Sequence, residues 1–218
     1  MFKFNKLVGL LSIAMFFGVV VSVDAQSDRK FNKMQEKQYK DNLKALKKAG
    51  WVTADKTYTL DFALAKFYRA LHADEDNNMQ WIGRVASCSA TCANVALTDA
   101  QTRYAQQASS LVRGRVTNDM FNNQSVGQPE EFVNFYAAYE TLISKEISGL
   151  MKQYLAIERP ISGGKPGFKE YEIWYIVNEA DASKARIRAM QLALEESKMA
   201  QKHAEQIANF VREGFKQD

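Results

Sequence analysis

The sequence is poor in the residues that break or cross-link a chain. Its 218 residues include only 3 prolines, 11 glycines and 2 cysteines. So little proline and glycine excludes a collagen-like or low-complexity protein, and an apolar fraction of 46% excludes a wholly disordered one. This composition is typical of a globular, helix-rich chain that forms one domain or two small ones.

Residues that carry chemistry are equally few. The only two histidines, His72 and His203, are far apart in the chain, and no set of histidine, cysteine and carboxylate side chains has the spacing of a zinc site. The acidic run 74–78 starts like a calcium loop, but Met79 and Val85 stand where that loop needs its glycine and its bidentate glutamate. We therefore expect no catalytic residue, no cofactor and no metal.

Long apolar stretches are absent except near the first residue. A basic start and an apolar run over residues 7–23 lead to Val23 and Ala25, which occupy the two positions that a signal peptidase reads. This pattern predicts a signal peptide over residues 1–25 and a mature chain from Gln26. The alternative is a retained anchor helix, for which the run is at the short limit. We expect an exported protein, periplasmic or extracellular, that is soluble or peripheral to the outer membrane.

The segment 26–50 is predicted to form a basic helix, with Gly50 as its C-terminal stop. Three acidic side chains stand against eight basic ones: Arg29, Lys30, Lys33, Lys37, Lys40, Lys44, Lys47 and Lys48. We interpret this helix as a candidate surface for an anionic envelope component, either a lipid headgroup or an acidic glycan. The alternative is a solvated helix whose lysines keep the protein soluble. Nucleic acid is not expected as a partner, because export separates the protein from it.

The remaining residues, 51–218, are predicted to form a single α+β domain. The predicted elements are, in chain order, helix 60–71, strand 79–87, helix 98–120, helix 129–147, strands 150–161 and 168–177, and a helix of about 30 residues from 182. With the basic helix, the order is α-α-β-α-α-β-β-α. It predicts a small three-stranded, largely antiparallel sheet packed against long helices.

Cys88 and Cys92 are the most specific pair in the chain. An oxidising compartment and the presence of only two cysteines favour a disulfide between them. In an extended strand their separation spans about 13 Å, beyond the limit of about 7 Å between bridged α carbons. A bridge therefore requires residues 89–91 to turn. The alternative is two buried thiols.

Part of the chain resembles the lipoprotein-twenty family of small bacterial cell-envelope proteins. The resemblance covers about residues 79–180 and rests on the strand 79–87, the small-residue loop after it, an alanine-rich helix and a hairpin with an aromatic last strand. The helix and strand positions that carry it are Ala100, Tyr104, Ala105, Ala108, Leu111, Tyr171, Trp174 and Tyr175. The resemblance implies a compact α+β fold, a location in the cell envelope and no known catalytic residue. The chain lacks the lipidated cysteine of that family.

These observations predict a non-enzymatic, exported envelope protein that acts by binding or assembly, with an unknown ligand. One alternative is a periplasmic enzyme whose site is assembled from scattered residues such as Glu170, Glu172 and Tyr175. A deep pocket with convergent polar groups would favour that alternative. A second alternative is a structural protein that associates with itself through its long helices.

Overall fold

The computed structural model describes residues 25–120, 130–161 and 163–215 and has an α+β fold. Most of the predicted signal peptide, residues 1–24, lies outside this part of the chain. The helices and strands are α1 (Ala25–Lys48), β1 (Val52–Thr53), α2 (Leu60–Leu71), β2 (Asn78–Cys88), α3 (Cys92–Arg115), α4 (Glu130–Ser148), β3 (Lys152–Pro160), β4 (Lys169–Asn178), α5 (Glu179–Ala193), α6 (Lys198–Lys202) and α7 (Ala204–Glu213).

The four strands form one antiparallel sheet in the order β1-β3-β4-β2. The prediction of an α+β fold is confirmed, and β3 and β4 form the predicted hairpin. The prediction of three strands and the predicted element order are wrong, because β1 adds a fourth strand at the edge of β3. Two residues, Val52 and Thr53, are too few to show the alternation by which a strand is recognised in a sequence.

The sheet is the middle layer of three, with a hydrophobic core on each face. Side chains alternate along β4, so that Trp174 and Ile176 face α2 while Ile173, Tyr175 and Val177 face the other helices. The core on the α2 face also contains Trp51, Leu60, Leu64, Phe67, Tyr68, Leu155 and Ile157. The larger core, on the other face, is built mainly by α3, α4, α5 and α7. Helix α1 packs on the outside of α2, on the α2 face of the sheet.

Two helix boundaries differ from the prediction. Helix α3 begins at Cys92 rather than at Thr98, because residues 89–91 turn the chain at the end of β2 and Thr91 adopts a left-handed conformation (φ 54°) directly before the helix. The prediction of a single C-terminal helix is also wrong. Helix α5 ends at Ala193, and the hydroxyl of Ser197 then accepts a hydrogen bond from the backbone N–H of Ala200 as a new cap. This break lets α7 fold back onto α5.

Strand β2 and helix α3 approach each other unusually closely. At Gly83 in β2 an ideal Cβ would lie 1.8 Å from the carbonyl oxygen of Ala96 and 3.3 Å from the Cβ of Ala100. Ala96 and Ala100 are fully buried in this contact. A glycine in a strand interior that faces two alanines on a helix therefore sets the distance between the sheet and the helical layer.

A buried ion pair lies between the sheet and the C-terminal helices. The guanidinium of Arg186 on α5 pairs with the carboxylate of Glu179. Both residues are buried, with exposed fractions of 1% for Arg186 and 7% for Glu179. The same guanidinium donates to the hydroxyl of Tyr104 at 2.6 Å and lies over the ring of Phe215 at 5.3 Å. Gly214 covers the pair so closely that an ideal Cβ there would lie 2.2 Å from Arg186 Nη2.

Buried tyrosines make stability depend on pH in the alkaline range. Burial raises the pKa of Tyr104 to about 12, against the opposing effect of Arg186, and burial raises the pKa of Tyr139 well above its usual range. A tyrosine in the unfolded chain loses its proton near pH 10. Because the folded state holds these protons more tightly, stability is complete below pH 10 and falls between pH 10 and pH 12, by about 1.4 kcal/mol per pH unit for each such tyrosine.

Urea denaturation at about pH 8 and about pH 11 is therefore expected to show a clear loss of stability at the higher pH. The variant Tyr104→Phe should show a shallower loss, since one of the shifted groups is gone. The part of the tyrosinate absorbance that is lost in Tyr104→Phe should rise together with unfolding rather than before it. Equal stability at the two pH values would contradict this expectation.

Candidate functional site

The basic side chains of α1 lie on one face of that helix. At 3.6 residues per turn, the described lysines fall within an arc of roughly 100° and run along roughly 22 Å of the helix. We call these residues the lysine face: Lys33, Lys37, Lys40, Lys44, Lys47 and Lys48. All six are exposed. Arg29 and Lys30 also belong to α1, but their side chains lie outside the described part of the structure.

The opposite side of α1 holds the helix against α2. Tyr39, Leu43 and Leu46 are partly buried against the core under α2. The hydroxyl of Tyr39 donates to the carboxylate of Asp61, and the side-chain amide of Asn42 donates to the hydroxyl of Tyr68. These contacts fix the rotation of α1 about its own axis. The lysine face therefore points away from the body of the protein.

The charge of the lysine face is little neutralised by the protein itself. Among the described residues, Lys40 is the one lysine of this face with an ion pair, to Glu36 on the same helix at 2.5 Å. Both side chains of that pair are mostly exposed, so the pair contributes little to stability. The face thus presents several cations to solvent in a straight row, which is an arrangement that suits an extended anionic partner.

A cleft of about 430 Å³ lies between α1 and α2. It is lined by Gln35, Glu36, Tyr39, Ala65, Tyr68, Arg69 and His72. His72 Nδ1 lies 3.2 Å from Glu75 Oε1, and the imidazole stacks on the ring of Tyr68. Burial lowers the pKa of His72, and Glu75 opposes that shift, so the imidazole is uncharged at neutral pH.

The second ring nitrogen of His72, Nε2, has no hydrogen-bond partner among the described residues. With Nδ1 protonated toward Glu75, Nε2 is a hydrogen-bond acceptor, but this atom is buried and is not open to a ligand in the cleft. None of the described lining residues is a serine or a cysteine that could act as a nucleophile beside this histidine. The i, i+3 spacing of His72 and Glu75 is the signal in the sequence for this pair.

The residues named for the enzyme alternative are not brought together. Glu170 pairs with Arg159 at 2.6 Å, and Glu172 pairs with Arg84 at 3.0 Å. Tyr175 is buried on the opposite face of the sheet, toward the larger core. The two carboxylates are thus held by arginines on the α2 side, and the tyrosine cannot share a site with them.

Cys88 and Cys92 are joined by a disulfide, with their α carbons 5.6 Å apart. Both residues are buried, at the junction where β2 ends and α3 begins. The bridge closes the turn that reverses the chain, so the two elements that meet at Gly83 are also linked covalently. In this position the pair ties a strand to a helix.

Sequence reasoning missed an exposed aromatic pair beside α1. Tyr58 and Phe62 stack with their ring centroids 5.3 Å apart and are about half exposed. The signal was available, since Phe62 lies off the apolar face of α2, which runs through Leu60, Leu64 and Phe67.

In the described ranges no group of three or more histidine, cysteine and carboxylate side chains is placed to hold a metal ion. The helices within those ranges include none that is both long and apolar enough to span a membrane. No protein-family model matches the chain, and no curated protein or solved structure was found to match it. The resemblance to the lipoprotein-twenty family therefore stays a prediction.

Proposed function

We propose that this is an exported, non-enzymatic cell-envelope protein that binds an anionic envelope component through the lysine face of α1. The observation that carries the proposal is the alignment of six exposed lysines on the side of α1 that faces away from the protein body. Solubility alone would place the lysines on the exposed side of α1, but it would not confine them to an arc of roughly 100°. The predicted signal peptide and the family resemblance support a location in the envelope.

The charge distribution also supports an electrostatic mode of binding. Residues 26–50 carry a net charge of +5, whereas residues 51–218 carry about −2. An anionic surface therefore attracts one side of the protein and is weakly repelled by the rest, which orients the molecule as it approaches. Such binding weakens steeply as salt is added, because exposed charges are screened within about 10 Å at 0.1 M ionic strength.

The test is binding of the mature chain from Gln26 to two anionic probes, vesicles that contain phosphatidylglycerol and soluble dextran sulfate. We expect binding at low salt to at least one probe. The double variant Lys37→Glu, Lys44→Glu should bind at least tenfold more weakly, because each lysine near an anionic surface contributes about 1 kcal/mol. Both side chains are exposed, so the variant should keep its far-ultraviolet circular dichroism.

The matched control is the double variant Lys145→Glu, Lys184→Glu. It changes the net charge of the protein by the same amount, but these exposed lysines lie on α4 and α5, on the other side of the sheet from α1. We expect its binding to stay within about twofold of the wild type, because the sheet separates the lost charges from the lysine face. Equal losses in both double variants would show that net charge alone drives binding and would contradict the proposal.

A further inference from the structure

Two exposed aromatic side chains lie together in the region after α1. Among the described residues, the exposed large apolar side chains are Val52, Tyr58, Phe62, Val95, Val133, Phe168 and Leu192. Tyr58 and Phe62 stack on each other, with exposed fractions of 47% and 52%. We call these two residues the apolar patch. The other five lie singly, since Val52 pairs with Glu158 in the sheet and faces the side opposite α2. Such isolated residues need no explanation.

A chain of contacts joins the apolar patch to the end of the lysine face. The backbone N–H of Trp51 donates to the carbonyl of Leu46 at 3.0 Å, which holds β1 against the last turn of α1. The hydroxyl of Thr53 then donates to the carbonyl of Tyr58 at 2.7 Å, and the ring of Tyr58 stacks on that of Phe62. Lys47 and Lys48 therefore lie beside the segment that carries the patch.

The surroundings of the patch are mostly basic. Lys56 is exposed in the loop between Val52 and Tyr58, and Lys66 is exposed one helical turn after Phe62. Of the two carboxylates nearby, Asp61 accepts a hydrogen bond from Tyr39, and Asp55 accepts one from the backbone N–H of Thr57 at 2.9 Å. Along this segment four exposed lysines, Lys47, Lys48, Lys56 and Lys66, outnumber these two carboxylates, which are themselves exposed. The net charge around the stacked rings is therefore positive.

We propose that the apolar patch inserts into the headgroup region of an anionic lipid bilayer while the lysine face lies along its surface. This inference rests on the proposed function and selects a lipid surface over a glycan as the anionic partner. An acidic glycan calls only for charge, whereas stable peripheral binding to a bilayer combines basic charge with inserted apolar groups. Aromatic rings favour the depth of the headgroups, where one edge is apolar and the other is wet.

A second copy of the chain is a weaker explanation of the same patch. A stable interface of standard size buries about 800 Å² on each partner. Two aromatic side chains that are half exposed offer roughly 200 Å², since a whole aromatic residue buries about 150–250 Å². The cations around the patch would also repel their copies across a two-fold axis.

The experiment places a tryptophan at the patch and reads its depth in a bilayer. The variant F62W is mixed with phosphatidylcholine vesicles that contain phosphatidylglycerol, with either normal or brominated acyl chains. We expect its added emission to shift to shorter wavelength and to be quenched by the brominated lipid. The matched control is L192W on α5, where the replaced side chain is 46% exposed; its added emission should be neither shifted nor quenched.

Affinity gives a second readout. The variant Phe62→Ser is expected to bind the anionic vesicles about tenfold more weakly than the wild type, and Leu192→Ser to change binding less than about twofold. Binding of Phe62→Ser to dextran sulfate should stay unchanged, because that probe has no apolar interior. Both replaced side chains are exposed, so thermal melting of either variant should match the wild type.

The outcomes separate this inference from the proposed function. Lysine-dependent binding to vesicles with no quenching of F62W overturns insertion and leaves the lysine face as the binding surface. Binding to dextran sulfate but not to vesicles does the same. Failure to bind either probe overturns both proposals. A blue shift of F62W that depends on protein concentration without vesicles would show that a second copy covers the patch, and that also overturns insertion.

Discussion

Replacing Gly83 by alanine is expected to lower the free energy of unfolding by about 3 kcal/mol or more, at the upper end of the range for overpacking in a core. The new methyl group would lie 1.8 Å from the carbonyl oxygen of Ala96 and 2.6 Å from its carbonyl carbon. Both are backbone atoms, so no side-chain rotation can relieve the contact. Either β2 or α3 must move, and the disulfide between Cys88 and Cys92 limits how far the two can separate.

The control is Gly114→Ala in α3. That glycine is helical, and an ideal Cβ there meets no atom within 4 Å. Alanine is the better helix former, so this variant should gain about 0.5–1 kcal/mol. Urea denaturation followed by circular dichroism measures both variants. If Gly83→Ala were within about 0.5 kcal/mol of the wild type, the close contact between the sheet and α3 would be wrong.

Removal of one partner of the buried ion pair is the second large effect. The variant Glu179→Leu leaves the guanidinium of Arg186 almost fully buried without its carboxylate. Its remaining acceptors among the described residues are the hydroxyl of Tyr104 and the carbonyl of Val211. An unpaired buried charge of this kind costs about 3–5 kcal/mol. Thermal or urea unfolding should show that loss. The variant will still fold if the free energy of unfolding of the wild type exceeds the loss.

Two further variants show whether the loss comes from the buried charge. In Glu179→Leu, Arg186→Met both charges are gone, and we expect more than half of the loss to be recovered. Glu146→Leu breaks the exposed pair between Glu146 and Arg188 and should cost less than about 1 kcal/mol. If the double variant were as unstable as the single one, lost packing rather than an uncompensated charge would be the cause.

The hydrophobic pattern of the chain was sufficient to predict the regular elements. Helix α2 has its apolar face and its Thr59 cap within one short segment, and the side-chain oxygen of Thr59 accepts the backbone N–H of Phe62 as such a cap does. The hairpin of β3 and β4 is likewise local, since two strand patterns flank a turn. Local patterns of this kind can be recognised without knowledge of what the segment packs against.

Features that depend on distant residues could not be predicted in the same way. β1 has two residues and is a strand only because β3 lies beside it. The break at Ser197 lies in a sequence that is otherwise helical, and α7 turns back there because Phe210 and Val211 have a core to enter. The pairing of Glu179 with Arg186 across two helical turns was visible as a spacing, but its burial is set by Gly214 and Phe215.

The candidate site divides along the same line. The eight basic positions of α1 were evident from composition, and their common face follows from helical geometry alone. Which way that face points depends on the contacts of Tyr39 and Asn42 with α2, which no local pattern reveals. The apolar patch was missed although part of its signal is local, since Phe62 lies off the apolar face of α2; its stacking on Tyr58 is seen only in the structure.

The position of Phe215 bears on when the chain can fold as it leaves the ribosome. Its ring lies 5.6 Å from that of Trp81 in β2 and 5.2 Å from that of Tyr104 in α3. These partners are synthesised more than a hundred residues before Phe215. The faces that Phe215 covers therefore stay exposed to solvent until residue 215 has been synthesised. Long-range contacts of this kind form late and slowly. The larger core is therefore completed only after translation has passed residue 215.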